Sequence, residues 1–415
     1  MKILFLTPQL PYPPRQGTAM RNWGLISGVA KHHEVWLLSF DENPAGGATL
    51  PDGVCAQIAT FPVPPRGVAQ RLQRLVTSQL PDMAWRLWSP AFAAKLAEWV
   101  SAENFDVIQI EGIEMARYAL ELASKRPEQR SERWIFDDHN CEYLLQRRAY
   151  ETDRANPRRA HAAAYSFVQS RRLMAFEREI CQRADAVLCV SPQDAAHINA
   201  LDPAITPHVV FNGIDLATYD LPDTPAPLAS RGLPVNQAPT LVFTGKMDFR
   251  ANIDAMLWFG QEVMPLVKKA VPTTRLYIVG QKPHTRLDML RADPNITITG
   301  AVDDIRPHIA KAGVYIAPLR VGGGTRFKLL EAMALRKAIV TTSLGCEGFE
   351  IENGKQALIA DSAPDFAQAV IRALRDAELR RSLGEAARAF VQATFDWSAI
   401  VPGLEQIYEN VKRDE

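Results

Sequence analysis

Residues 313–334, GVYIAPLRVGGGTRFKLLEAMA, decide how this chain is read. The apolar run Gly313–Leu319 predicts a buried strand. Gly322, Gly323 and Gly324 then turn the chain, and a helix is expected from about Thr325. A helix N-terminus carries unpaired N–H groups and the positive end of the peptide dipoles, so it attracts phosphate. Glycines let that backbone approach a ligand closely. Lys328 and Glu331 are spaced to share one helix face, so a cation for phosphate and a carboxylate for sugar hydroxyls point the same way. The unit reads as a nucleotide-sugar site. Strand, glycine turn and helix also occur in any doubly wound domain, and Lys328–Glu331 also reads as a solvated pair.

Outward from this stretch, strand and helix alternate. Strands are predicted at 3–7, 34–40, 57–63, 107–111, 134–138, 186–190 and 208–211. Helical pattern covers 17–32, 66–102 and the basic stretch 158–183. Residues 216–239, rich in Pro, Asp, Thr and Ala, read as a surface linker. The alternation restarts with strands at 240–244, 275–279, 296–299, 314–317, 338–342 and 357–360. Two helices follow over 362–392 and one over 397–411. Short apolar strands between helices predict parallel sheets covered on both faces. The expected organisation is α/β: two doubly wound Rossmann-like domains, 1–215 and 240–395, joined by 216–239, with a helix at 396–415 able to cross back to the first. Ligands of such a pair bind in a central cleft facing the C-terminal strand ends.

A chain of 415 residues exceeds one core, so two domains are the default. Lys+Arg and Asp+Glu are equal at 47 each, which gives no support to nucleic acid as a partner. The five cysteines are scattered without metal-site spacing, as in a reducing compartment. Residues 1–8, MKILFLTP, read as a first strand rather than a signal peptide, and no run reaches the roughly 20 apolar residues of a membrane span. A cytoplasmic protein is expected.

Four strings carry a resemblance: FTGKMDFRAN at 243–252, GAVDDIR at 300–306, residues 322–334, and TSLGCEG at 342–348. On these the chain resembles the family-4 retaining glycosyltransferases of the GT-B fold. More narrowly it is similar to sugar transferases of bacterial exopolysaccharide clusters. The resemblance implies that Glu331 holds the nucleotide ribose, a task suited to a carboxylate that accepts two vicinal hydroxyls. The family's first motif glutamate falls on Gly323, so its contact to the donor sugar passes to the backbone N–H groups of Gly324 and Thr325. Lys246 takes the role of a basic residue binding the diphosphate. The second basic position reads Ala251-Asn252, with Arg250 adjacent. Val302, after the third strand of the second domain, is the expected contact to the base.

In the first domain the resemblance places His139 beside the transferred sugar, with Asn140 and Glu142 orienting acceptor or histidine. Gly17 resembles the glycine that brings the backbone to donor phosphate or acceptor. Arg21, one turn further on, is expected to meet an anionic acceptor, and Glu111 is a further acceptor-side candidate. The implied activity is a metal-independent sugar transfer without a cofactor, from a nucleotide-diphospho-sugar to a hydroxyl of a glycan or lipid-linked acceptor. The anomeric configuration is retained, and the departing phosphate helps to deprotonate the acceptor. The cleft motifs show no Asp-x-Asp, no metal-ligand cluster and no carboxylate pair. Two other readings stay open: a nucleotide-sugar epimerase of the same fold, and a non-catalytic binding protein in a polysaccharide assembly complex. Residues 66–99 mix arginines with leucines and tryptophans. They fit either an anionic membrane surface at the inner face or a surface helix with its apolar side in the core.

Overall fold

The computed structural model describes residues 1–14, 17–43, 50–126, 130–154, 159–220, 239–321 and 327–413. They form two compact units, Met1–Gly213 with Ile400–Glu415, and Ile214–Ala399. The first has strands β1 (Lys2–Thr7), β2 (Glu34–Asp41), β3 (Gln57–Pro62), β4 (Val107–Glu111), β5 (Arg133–Asp138), β6 (Ala186–Cys189) and β7 (His208–Val209). Its helices are α1 (Gly17–Val29), α2 (Val68–Thr77), α3 (Asp82–Arg86), α4 (Pro90–Ala102), α5 (Ile113–Lys125), α6 (Glu142–Arg154), α7 (Ala160–Arg183) and α8 (Pro192–Leu201). All seven strands are parallel, in the order β3-β2-β1-β4-β5-β6-β7. The central strands read as unbroken apolar runs because helices cover both faces, and Ile3–Leu6 of β1 are wholly buried.

The second unit carries β8 (Thr240–Thr244), β9 (Arg275–Val279), β10 (Ile296–Gly300), β11 (Val314–Ala317), β12 (Ala338–Thr341) and β13 (Leu358–Ile359), parallel in the order β10-β9-β8-β11-β12-β13. Its helices are α9 (Arg250–Trp258), α10 (Met264–Ala270), α11 (Arg306–Lys311), α12 (Phe327–Ala334), α13 (Ala363–Arg375) and α14 (Ala377–Thr394). The last helix, α15 (Trp397–Arg413), starts in this unit and belongs to the first from Ile400 onward.

Strand order reverses between β1 and β4 in one sheet and between β8 and β11 in the other. At such a switch point the flanking connections leave in opposite directions and open a crevice at the C-terminal strand ends. In folds of this kind ligands bind beside the strands that flank such a point, here β1 and β4 in one sheet and β8 and β11 in the other. At the second switch point the backbone is drawn tight. Gly245 and Gly280 end β8 and β9 at φ 154° and 153°, and a Cβ on Gly280 would lie 1.7 Å from the Gly245 carbonyl oxygen. Only glycine allows that approach.

Several boundaries differ from the sequence reading. The helical pattern over 66–102 is three helices. Pro81 precedes α3, and Ser89 caps α4 by accepting from the Phe92 N–H, with Pro90 in the first turn. The stretch expected to be linker from 216 opens instead with a 3₁₀ turn, Leu216–Tyr219, whose Leu216 and Tyr219 are buried in the second unit. Residues 221–238 lie outside the described residues. Leu87 and Trp99 of the basic-aromatic stretch are core residues, whereas α2 buries none of its own.

Candidate functional site

In the second unit the site grows from the end of β8. Gly245 turns the chain, and Lys246 follows it into solvent. Asn252 on α9 is buried and donates its amide N–H to the Lys246 carbonyl at 2.9 Å. Its Oδ1 accepts from Lys328 Nζ at 2.6 Å. Lys328 arrives from α12, where the ammonium also sits 4.3 Å above the Phe243 ring. The same ammonium lies 3.0 Å from where a Gly245 Cβ would be. Asn252 thus stands where the resemblance called for a second base, and it holds the cation supplied by another helix. Its position was visible in the sequence, but its partner was not. Arg250 is exposed on the first residue of α9.

Glu331 lies on the next turn of α12, half-buried, and its Oε1 accepts from the Tyr219 hydroxyl at 3.3 Å. Burial pushes its carboxyl up to about 7, against the pull of Tyr219 and the nearby Lys328 charge. Tyr219 was not foreseen, because it belongs to the segment read as linker. Arg306 closes this side, pairing with Asp304 at 2.8 Å and donating to the Thr218 carbonyl at 2.6 Å. Val302 is half-buried in the loop after β10. Gly324 and Thr325, with Gly323, lie outside the described residues.

In the first unit the end of β5 meets the end of β4. His139 Nε2 is 2.8 Å from Glu111 Oε2. Burial alone would depress the imidazole, but the hydrogen bond to Glu111 and the charge of Asp137 raise its pKa. Asp137 takes both its oxygens to Arg21, each at 2.8 Å. Arg21 further donates to the carbonyls of Val210 and Phe211 and to Asn212 Oδ1. With 1% of its surface exposed, Arg21 is committed inside the fold and does not face an anionic acceptor. Desolvating a guanidinium is costly unless its donors are met, and here Asp137 meets them bidentately. Glu111 is likewise wholly buried, its carboxylate taken by His139 and Gln109, and does not itself face an acceptor. Both corrections share one cause: a charged residue at a switch point is as readily consumed by a buried partner as offered to a ligand.

The fold brings together one group of metal-ligand type that the sequence spacing did not show. Glu111, Asp137 and His139 place ligand atoms within 4.8 Å of one another. The Arg21 guanidinium already occupies both Asp137 oxygens and supplies the positive charge, so the group is an ion-pair network. Gly17 is exposed at the start of α1, and Asn140 is exposed after His139. Glu142 is half-buried at the start of α6, and burial with the neighbouring Glu114 pushes its carboxyl up to about 7. Asp137 and Asp138 diverge as adjacent strand residues must. Asp138 turns toward the buried Glu177, whose carboxylate accepts from the Glu142 and Tyr143 N–H groups.

Residues 17–218 match the family model described as Glycosyltransferase Family 4, and residues 238–376 match Glycosyl transferases group 1. A phosphatidyl-myo-inositol mannosyltransferase of Mycolicibacterium smegmatis is 30% identical over 207 residues, 48% of this chain and 51% of that protein. An uncharacterized 44.6 kDa protein in the cps region of Klebsiella pneumoniae is 26% identical over 164 residues, 38% of this chain and 42% of that one. The chain thus spans about half the length of these curated relatives. Among solved structures, a sucrose-phosphate synthase of Thermosynechococcus elongatus has the same fold, with a TM-score of 0.71 at 18% identity over 100% of both chains.

Proposed function

From the premise that this chain belongs to the group 1, family-4 glycosyltransferases, we propose that it moves a sugar from a nucleotide-diphospho-sugar to a hydroxyl of a glycan or lipid-linked acceptor in bacterial surface or exopolysaccharide synthesis. One observation carries this reading. At the switch point of the second sheet a lysine ammonium is fixed over a glycine turn by Asn252, one helical turn from the half-buried carboxylate of Glu331. Cation and carboxylate are the two recognition elements a nucleoside diphosphate needs, for the charged phosphates and the ribose hydroxyls. Lys246 and Lys328 neutralise the negative charge that grows on the leaving diphosphate, the electrostatic term worth most in such a transfer. His139, held by Glu111, serves the transferred sugar, and the configuration is retained. Glu111 and Arg21 act behind it, and the reaction needs no metal. The cps-region relative and the phosphatidylinositol-directed relative support a surface-glycan or lipid-linked acceptor.

The acceptor chemistry gives α2 a role at an anionic membrane surface. Arg71 is spent on Tyr165 and Asp82, and Arg74 stacks on Trp85 at 3.7 Å. The polar side of the helix therefore holds it to the domain. Val68, Leu72 and Val76, 72%, 58% and 86% exposed, form a stripe turned to solvent. Among the described residues no helix is long and apolar enough to cross a membrane; the contact proposed is a peripheral one at the cytoplasmic face, made by this stripe.

Thermal stabilisation by UDP, GDP, ADP and their sugar conjugates tests the donor site, since a ligand that binds only the folded protein must raise Tm. A shift for one nucleotide, lost in Glu331→Ala, is expected. No shift with any of them refutes the donor assignment. Anomeric analysis of the product tests retention, and activity after chelator treatment tests metal independence.

A further inference from the structure

A chain of buried hydrogen bonds leads from the C-terminal helix to His139. Tyr408 on α15 is wholly buried, and its hydroxyl donates to Gln109 Oε1. Gln109 on β4 is wholly buried too, and its Nε2 donates to Glu111 Oε1 at 2.6 Å. The other oxygen of Glu111 holds His139 Nε2. Asn22 on α1, with its amide turned to donate, reaches the same oxygen at 2.8 Å and the Thr18 carbonyl at 3.2 Å. Each link sets the direction of the next. The Tyr408 O–H points at the Gln109 carbonyl, so the amide N–H faces Glu111, whose carboxylate accepts it. Burial and the neighbouring Asp137 raise the Glu111 pKa, and the hydrogen bond to His139 and the charges of His139 and Arg21 oppose that rise. Glu111 then has one oxygen fixed by Gln109 and the other left for Asn22 and His139.

We propose that Tyr408 is a positioning residue for His139, acting through Gln109 and Glu111. The geometry makes the last turns of α15 part of the acceptor-side machinery. None of these atoms touches substrate except through His139. The proposal rests on the reading that His139 acts at the transferred sugar. Burial keeps the Tyr408 hydroxyl protonated far above neutral pH, so it remains a donor. The charged groups around His139 are Glu111 from β4, Asp137 from β5, Arg21 from α1, Glu142 from α6, and Glu114 from α5, whose carboxylate lies against Gly112 beside the ring. A looser Glu111 weakens the hydrogen bond that favours the imidazolium, while Asp137 and Arg21 stay paired.

The test uses the full chain labelled with ¹³C-histidine, with the His139 signal assigned through His139→Gln. In Tyr408→Phe the His139 titration midpoint should fall by at least about half a unit, a threefold change in its protonation equilibrium. Transfer kcat should fall about fivefold with the Kd of the free nucleoside diphosphate unchanged, since the proposed diphosphate and ribose contacts, Lys246, Lys328 and Glu331, belong to the second unit. Gln109→Met should reproduce both effects, and the double variant should add nothing, because residues acting in one chain are not additive. An unmoved midpoint in both single variants overturns the proposal, as do independent, additive losses. A merely structural Tyr408 would lower Tm and leave the midpoint in place. If the wild-type chain transfers no sugar while the midpoint still shifts in both variants, the relay stands and the catalytic reading of His139 falls.

Discussion

Replacing Asn252 by alanine should weaken nucleoside-diphosphate binding without touching the ligand. Asn252 makes two hydrogen bonds, one accepted from the Lys328 ammonium at 2.6 Å and one donated to the Lys246 carbonyl at 2.9 Å. A hydrogen bond to a charged group is worth about 1.5–3 kcal/mol and a neutral one about 1 kcal/mol. In the free protein part of this loss appears as stability, because Asn252 is buried and the Lys246 carbonyl loses its donor. We expect a fall of about 1–2 kcal/mol, read by denaturant titration. The remainder appears in binding. An ammonium held at one point over Gly245 is pre-organised, and a lysine that has lost this contact is less ordered and must be fixed again by the ligand, at up to about 1–2 kcal/mol of side-chain entropy. The Kd for the best-binding of UDP, GDP or ADP should therefore rise about tenfold, or 1.4 kcal/mol. Calorimetry on Asn252→Ala, Lys328→Met and the double variant reads the coupling directly. If Asn252→Ala costs as much in the Lys328→Met background as in the wild type, Asn252 does not act through Lys328 and the reasoning fails. Asn252→Asp offers a sharper contrast. It keeps an acceptor for Lys328 but adds a negative charge beside the diphosphate, so it should bind worse than alanine.

In the proposed role at the ribose, Glu331 accepts two hydroxyls best when it is ionised. Its carboxyl sits at about 7, so donor affinity should fall toward tenfold per unit as pH drops below that value. Glu331→Gln should bind weakly with a flat profile, and a wild-type profile that is flat from pH 5.5 to 8 would remove the carboxylate from the site. Gly280→Ala puts a Cβ 1.7 Å from a carbonyl oxygen and should cost at least about 3 kcal/mol in thermal or denaturant unfolding. Gly53→Ala, also at positive φ but with nothing within 4 Å, should cost only about 1 kcal/mol of backbone strain. Co-sedimentation with phosphatidylglycerol vesicles should be lost in Leu72→Glu/Val76→Glu with the fold intact, and equal pelleting of both proteins would rule out α2 as the contact.

The alternation of short apolar strands with helices could be read from the chain because its cause is local. Side-chain periodicity and a glycine after a strand act within a few residues. That was enough for both parallel sheets and for the placing of Lys246, Lys328, Glu331 and His139 at strand ends or on the helices that follow them. Nothing local says that Arg21 is spent on Asp137, that Asn252 holds Lys328, or that Tyr219 reaches Glu331. Nor could the sequence show that a tyrosine 299 residues further along the chain orients Gln109. These pairings are decided by burial. A charge or an amide taken out of water must find a partner, and which partner is in reach depends on strand order and helix docking rather than on sequence spacing. The position of each residue at the strand ends was therefore legible one by one. Which of those residues stay open at the strand ends and which are consumed by a buried partner was decided only when the tertiary structure closed around them.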